Sequence, residues 1–394
     1  MRRCLALCLV PLAACADAVP RAAAPTVRDS AGIRIVENTG PAWQPGQEWS
    51  LSAEPVLDIG SGDSEEDQLF GVRAAYRLGD GRIVIANGGT NEIRFYAADG
   101  AFLSASGRSG QGPGEFERLQ GLLRLPGDSL VARDHFYKPQ LSVFDPMGNF
   151  VRTVSLDALL AVIGVFDDGS MLAQGSPRME GDLAGFQRYD SPLYHVPPEG
   201  QPTTHSGDFP GSEIYQVVSG NSVSVYEPFF ARTTQYFAGG NSIYIAENDS
   251  YEYRLHDPDG GLRTIVRRDF TPLPVTGDDV AQFREAILDR ARDTNLRRRW
   301  EGIYRDIPVP GSMPAYTEIH LDDLLNVWVL EYERPGSDEV RWTVFDSTGT
   351  MLGEVEGRTG VTPYHIGPSH MVGLWRDELD VEHVRVYEIE KPGQ

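Results

Sequence analysis

One short pattern recurs along this chain and limits what it can fold into. At residues 93–103, 141–151, 253–262 and 342–352 an alternating apolar stretch meets a turn ending in glycine, and a second such stretch follows. A weaker copy lies at 193–200 and a truncated one at 384–388. Alternation of apolar and polar residues marks strands, and Asp or Pro followed by Gly marks the tight turn between two of them. The turn glycines fall at 100, 148, 200, 260 and 349. Spacings of 48, 52 and 60 separate the first four, and the last gap is 89, too long for one unit.

Another strand pair stands ahead of each hairpin. Residues 82–86, 129–132, 170–173, 242–246 and 326–330 are short apolar runs, each following a Gly, Asp or Asn turn. Each unit thus holds four short strands in about 45 residues, the size of a propeller blade. The copies predict an all-β, six-bladed β-propeller over residues 31–391. The last unit lacks a fourth strand, and residues 55–60 resemble 102–107 in pattern. An N-terminal strand there is expected to fill the gap and close the ring, which removes the open sheet edge.

The long gap predicts a helical insertion at about 274–312. Thr276 with Asp278 and Asp279 supplies a helix start, and Val280, Phe283 and Ile287 make one apolar stripe. Arg290, Arg292, Arg297, Arg298 and Arg299 crowd the second half, which suits the helix dipole. A flap packed on the propeller with solvated charges is expected ahead of a lid or a docking surface for an acidic partner.

The net charge is −22 and the chain has only two lysines, Lys138 and Lys391. So acidic a field repels phosphate backbones and anionic lipid, and nucleic acid is not an expected partner. Cysteines occur only at positions 4, 8 and 15. A body without thiols has no disulfide, no zinc–thiolate site and no cysteine nucleophile. Stability must come from burial.

The N-terminus reads Met-Arg-Arg, an apolar run over residues 4–14, and then Cys15. That run is too short to span a bilayer, which needs roughly 20 residues. Leu12-Ala13-Ala14-Cys15 resembles the lipobox of bacterial lipoproteins. The resemblance implies a signal peptide over 1–14, acylation of Cys15 and a flexible tether over 15–30. An ordinary secretory cleavage after Ala18 is the alternative. Ala16, rather than Asp, follows the cysteine. In the family's sorting rule this favours the outer membrane of the cell envelope over the inner.

The turn at 107–116, ending Gly114-Glu115-Phe116 before a new unit, resembles the NHL-repeat propellers. The chain is also similar, over roughly residues 55–390, to six-bladed propeller lipoproteins of unassigned function in bacteria. The third unit departs most, having no clear Asp at its turn.

Most catalytic signatures are absent from the sequence. There is no His-Glu-x-x-His, Gly-x-Ser-x-Gly, phosphate-loop Gly-Lys pair or Cys-x-x-Cys. Propellers bind ligands over the channel, where one polar residue per blade can converge. The residues expected to follow each second strand are Asn87, Arg133, Gln174, Glu247, Glu331 and Glu382. The three carboxylates suggest calcium, a cation that takes oxygen ligands. The competing reading is that these residues cap strand ends. The resemblance to propellers also implies metal sites of two kinds, carboxylate and amide in lactonases, histidine in amidating lyases. Neither matches residue by residue here, although His320, His365, His370 and His383 crowd the last two units. The expected role is a lipid-anchored binding or scaffolding module for a protein, peptide or glycan. The alternative is a metal-dependent hydrolase or lactonase at the channel mouth.

Overall fold

A computed structural model describes residues 24–392, apart from residues 63, 136–138, 157–159 and 180–182. The signal segment and Cys15 lie outside these. The fold is mostly β, built from sheets of four strands in simple up-and-down order. The first holds Val72–Arg77, Ile83–Asn87, Glu92–Tyr96 and Phe102–Ser106. The second holds Gly121–Arg124, Leu130–Arg133, Gln140–Phe144 and Phe150–Ser155. The third holds Ala161–Val165, Met171–Gln174, Asp190–Val196 and Thr204–Pro210. The fourth holds Thr234–Gly239, Ser242–Glu247, Glu252–His256 and Leu262–Arg268. The fifth holds Tyr316–Leu321, Val327–Glu331, Arg341–Phe345 and Met351–Glu356. The sixth holds Thr362–Ile366, His370–Arg376 and Glu382–Glu390. Leu57–Ile59 pairs antiparallel with its last strand, and Ser50–Leu51 extends it.

The turns carry the chemistry that the sequence predicts. Gly100, Gly148, Gly200, Gly260 and Gly349 all have φ between 84° and 91°. Gly260 shows why no other residue serves. A Cβ there would stand 1.8 Å from the Ser206 carbonyl oxygen.

Alternation holds less strictly than expected, for a physical reason. Sheets here are covered on both faces, so the inner strands are apolar throughout. Every residue of Ile83–Asn87 is buried. An apolar cluster fills each space between successive sheets. Val84, Phe95, Phe116 and Phe144 lie between the first and second. Val131, Val154, Val162 and Met171 follow, then Phe166, Leu193 and Ile245. Tyr253, Val266, Val329 and Phe345 join the fourth to the fifth, and Trp328, Trp342, Met371 and Tyr387 join the fifth to the sixth. Ile59, Ile85, Tyr96, Val372 and Val384 pack the sixth against the first.

The first strand of each sheet lies beside the next. Contacts run from Val72–Arg77 to Gly121–Arg124, on to Ala161–Val165, Thr234–Gly239 and Tyr316–Leu321. A bridge between Asp322 and Ile366 reaches the sixth sheet, whose Thr362–Ile366 touches Val72–Arg77.

Three features differ from expectation. Residues 26–30, assigned to the tether, form the strand Thr26–Ser30. It pairs with Ile33–Asn38, which runs parallel beside Leu262–Arg268 and extends the fourth sheet. A three-stranded sheet of Gly185–Gln187, Ile214–Ser219 and Ser222–Tyr226 also stands apart from the repeats. Finally, the insertion holds two helices, α1 (Gly277–Asp289) and α2 (Thr294–Asp306). Thr276 caps α1, and a reciprocal bond joins its backbone N–H to Asp279 at 2.8 Å. Asp293 accepts from the N–H groups of Asn295 and Leu296 and starts α2. A bridge between Pro274 and Ser312 closes the neck of the excursion. Ile287 and Tyr304 bury themselves against Phe229 and Phe230.

Candidate functional site

Connections within each sheet alternate between two ends of the molecule. The excursions 175–190, 211–233 and 269–315 all leave from the end where second strands finish. The opposite end carries only the turns between first and second strands and between third and fourth, so it is left clear. A cavity of about 810 Å³ opens there.

The cavity takes residues from the first strand of each of the six repeat sheets. Tyr76 comes from the first sheet, Leu123 and Arg124 from the second, and Ile163 and Val165 from the third. Phe237 and Ala238 come from the fourth, His320 and Leu321 from the fifth, and Tyr364 and His365 from the sixth. The turns add Leu125, Pro126, Asp167, Asp322 and Asp323. A second cavity of about 310 Å³ shares Leu125, Pro126 and Asp167 with it. Val131, Val143, Val154 and Met171 give this side groove an apolar floor.

One charged network organises the wall. Arg124 donates from Nε to Asp128 at 2.6 Å and from Nη1 to Asp323 at 3.2 Å. His365 Nε2 lies 3.1 Å from the same Asp323 oxygen. The backbone N–H of Arg77 donates to His365 Nδ1 at 3.2 Å, so a neutral ring carries its proton on Nε2 and donates to Asp323. The network ties the second sheet to the fifth and sixth. Burial pushes the Asp323 carboxyl up, but the bonds and charges of His365 and Arg124 outweigh it and hold it below the ordinary range. Burial pushes the Tyr76 hydroxyl to about 12, and it donates to the Leu122 carbonyl at 2.9 Å.

His370 stands behind this wall, its ring 5.2 Å from that of His365. Burial first, then the nearby His365, Arg77 and Arg124, push it down to about 4. Its Nε2 has no hydrogen-bond partner among the described residues.

Both nitrogens of His365 are engaged, so neither is free to take a proton from a nucleophile. His320 bonds Glu318 at 3.1 Å and His383 bonds Asp58 at 2.8 Å. The four histidines of the last two units therefore serve separate contacts, and only His365 and His370 touch.

None of the six residues nominated from the sequence lines either cavity. Five strand ends do bear the named residue, at the end away from the cavity. Asn87 is fully buried, accepts from the Phe70 N–H at 2.8 Å and donates to Thr90. Gln174 donates to Ser191. Glu247 pairs with Arg188 and Arg254. Glu331 pairs with Arg268 and accepts from Tyr251 and Thr343. Arg133 ends its strand likewise. Glu382 opens the third strand of its sheet instead of following the second, and binds Arg376 and the Val72 N–H. The three carboxylates are thus satisfied by arginines and are not gathered for calcium. Among the described residues no three His, Cys, Asp or Glu side chains stand together as a metal ion requires.

The signal that sequence reading missed is modest. Tyr76, Arg124, Asp323 and His365 share only their position near the close of a first strand. No spacing links them.

No protein-family model matches the chain, and no curated protein matches it in sequence. The structure is similar to that of a candidate exported protein from Bacteroides fragilis, with a TM-score of 0.51 and 11% identity. That match covers 91% of this chain and 99% of the other. A member of the DUF4221 family from Bacteroides vulgatus has a TM-score of 0.48 at 10% identity, covering 88% and 99%. Regucalcin from Agrobacterium tumefaciens, a calcium-binding protein, has a TM-score of 0.35 at 12% identity, covering 85% and 95%. The first of these likenesses supports a propeller-type fold.

Proposed function

We propose that this chain is a six-bladed β-propeller, related in pattern to NHL-repeat propellers, that acts as a binding module outside the cytoplasm. Leu57–Ile59 is the strand that completes the sixth blade. Export and acylation at Cys15 tether the protein to the cell envelope, at the outer membrane. Its ligand is a protein segment, a peptide or a glycan, and nucleic acid is not among its partners.

One observation carries the reading. A single cavity of about 810 Å³ draws side chains from all six sheets. That volume falls in the usual range of ligand sites, and convergence of every repeat on it is what a ring of blades provides. The adjoining groove suits an extended ligand with an apolar group beside Asp167. A hydrolase or lactonase reading finds less support. Its metal would need a ligand set that the described residues do not assemble, and His365 lacks a free nitrogen.

Peptide and glycan arrays probed with the purified protein test this function. Val165→Trp narrows the cavity and should abolish the hits. Glu247→Gln, at the other end, should leave them unchanged. Hits that survive Val165→Trp, or hits lost in Glu247→Gln alone, would move the site elsewhere.

A further inference from the structure

Three features that the cavity does not use gather at the opposite end of the molecule. The first is the place where the described chain begins. Thr26 lies opposite Glu37, and Glu37 is level with Arg267. Residue 24 therefore stands at the end of the fourth sheet from which the helical insertion departs. Cys15 is nine residues before it. Such a stretch reaches about 30 Å at full extension.

The second feature is the hairpin formed by Ile214–Ser219 and Ser222–Tyr226. Val218 faces Val223 across the pair, and Val225 shares their side by the two-residue period. These valines are 44%, 41% and 57% exposed. The other side of the hairpin is covered, because Tyr215 and Tyr226 pack on the insertion. An apolar face turned to water beside a covered one marks a contact surface.

The third is a depression of about 350 Å³ between hairpin and helices. Tyr226, Arg290, Arg299 and Trp300 line it with Val225. Arg299 has no ion-pair partner among the described residues, and Arg290 makes one long contact to Glu227 at 3.5 Å.

Exposed aliphatic side chains with arginine, tryptophan and tyrosine beside them have the composition of a membrane interface. We infer that the 214–226 hairpin and the insertion beside it rest on the phospholipid surface that holds the Cys15 acyl chains, with Arg290 and Arg299 taking anionic headgroups. This rests on the anchoring part of the function proposed above. The bilayer then meets the insertion end, and the large cavity faces away from it, open to ligands.

The test uses the full lipidated chain in liposomes of phosphatidylethanolamine and phosphatidylglycerol. Cysteines occur only at 4, 8 and 15, so one added thiol is labelled cleanly. A fluorophore at Val223→Cys reports the hairpin, and one at Asp99→Cys reports the opposite end. A lipid-borne spin label should quench the first about threefold and leave the second unchanged. Adding Arg290→Glu and Arg299→Glu should bring the hairpin label close to the Asp99 level while the protein still floats with the liposomes. A floating protein whose two labels are equally open to water overturns the inference and leaves the anchor intact. Shielding of the hairpin label that follows protein concentration instead of lipid overturns it in favour of a second copy. Failure to float overturns the anchor, and the inference with it.

Discussion

Removing the Asp58 carboxylate should weaken the join between the N-terminal strand and the last sheet. Asp58 accepts from His383 Nδ1 at 2.8 Å and from Arg385 Nε at 2.8 Å. Arg385 is held in turn by the Trp375 ring, 3.3 Å from its guanidinium carbon. Only this carboxylate couples the strand Leu57–Ile59 to charged groups of Glu382–Glu390. A hydrogen bond to a charged group contributes roughly 1.5–3 kcal/mol. The Asp58 side chain is 25% exposed, so solvent screening trims both bonds. About 2 kcal/mol is expected for Asp58→Asn, which keeps the shape, and about 3 kcal/mol for Asp58→Ala. Unfolding entropy of about 2.1 cal/mol/K per residue, over roughly 360 ordered residues, turns this into a fall in Tm of about 3–4 °C. Calorimetry measures that fall. Hydrogen exchange should quicken first in residues 382–390. The control is Asp99→Asn, whose carboxylate among the described residues accepts only from the Ala101 N–H of its own turn. A Tm change within about 1 °C for Asp58→Ala, or equal losses in the control, would refute the claim that this pair fastens the last sheet. Combining Asp58→Asn with His383→Gln should cost less than the two losses added, since both break one contact.

Acid should destabilise the fold through His370. Its folded value near 4 lies below the unfolded 6.5, so the unfolded chain binds more protons between those values and stability falls as pH drops through that window. The whole window is worth roughly 3 kcal/mol, and urea unfolding of His370→Phe should show the slope flattened. Gly260→Ala should cost at least about 2 kcal/mol by urea melts, because its positive φ and the Ser206 carbonyl both oppose a side chain. Glu331→Gln should cost about 3 kcal/mol, since Arg268 and the Tyr251 ring beneath it lose the carboxylate that orients them. Millimolar calcium should leave the Tm of the wild-type protein unchanged, because Glu247, Glu331 and Glu382 are already paired with arginines. Cys15→Ser should move the protein from the membrane fraction to the soluble one, and continued membrane association would refute the anchor.

Strands and turns were legible in the sequence because each depends on local chemistry. Expected second strands match the observed ones within a residue or two, as at 83–87 against 82–86. The start of α1 was legible for the same reason, since Thr276 and Asp279 bond each other across one turn. The second helix was hidden by a run of arginines. Five of them after Ile287 looked like the tail of one helix, whereas Asp293 splits the run after Arg292 and caps the next helix. The small sheet at 185–226 was obscured because it interrupts the third repeat, whose turn at Pro197-Pro198-Glu199-Gly200 was already weak. The site was illegible because strand ends of two kinds look alike. Polar residues ending the second strands serve the turns and the neighbouring sheets. Those closing the first strands face the axis, and only pairing register tells the two apart.

The same distinction explains the charge. Asp145 accepts from the N–H groups of Met147 and Asn149, and Asp346 from those of Thr348 and Thr350. A fold made from repeated hairpins needs such a carboxylate at turn after turn, so much of the −22 charge follows from architecture without any cationic ligand. These turns nevertheless sit at the cavity end, together with Asp167, Asp322 and Asp323. A ligand approaching the cavity crosses their combined field whatever its chemistry, and Arg124 is locally neutralised by Asp128 and Asp323. Anionic ligands are therefore disfavoured on approach, and the association rate of a cationic one should fall as salt rises. The insertion end carries carboxylates too, but Glu247, Glu331 and Glu382 are paired there with arginines. Insertions and chain start share that end for one reason: an even number of strands per sheet sends every long connection the same way.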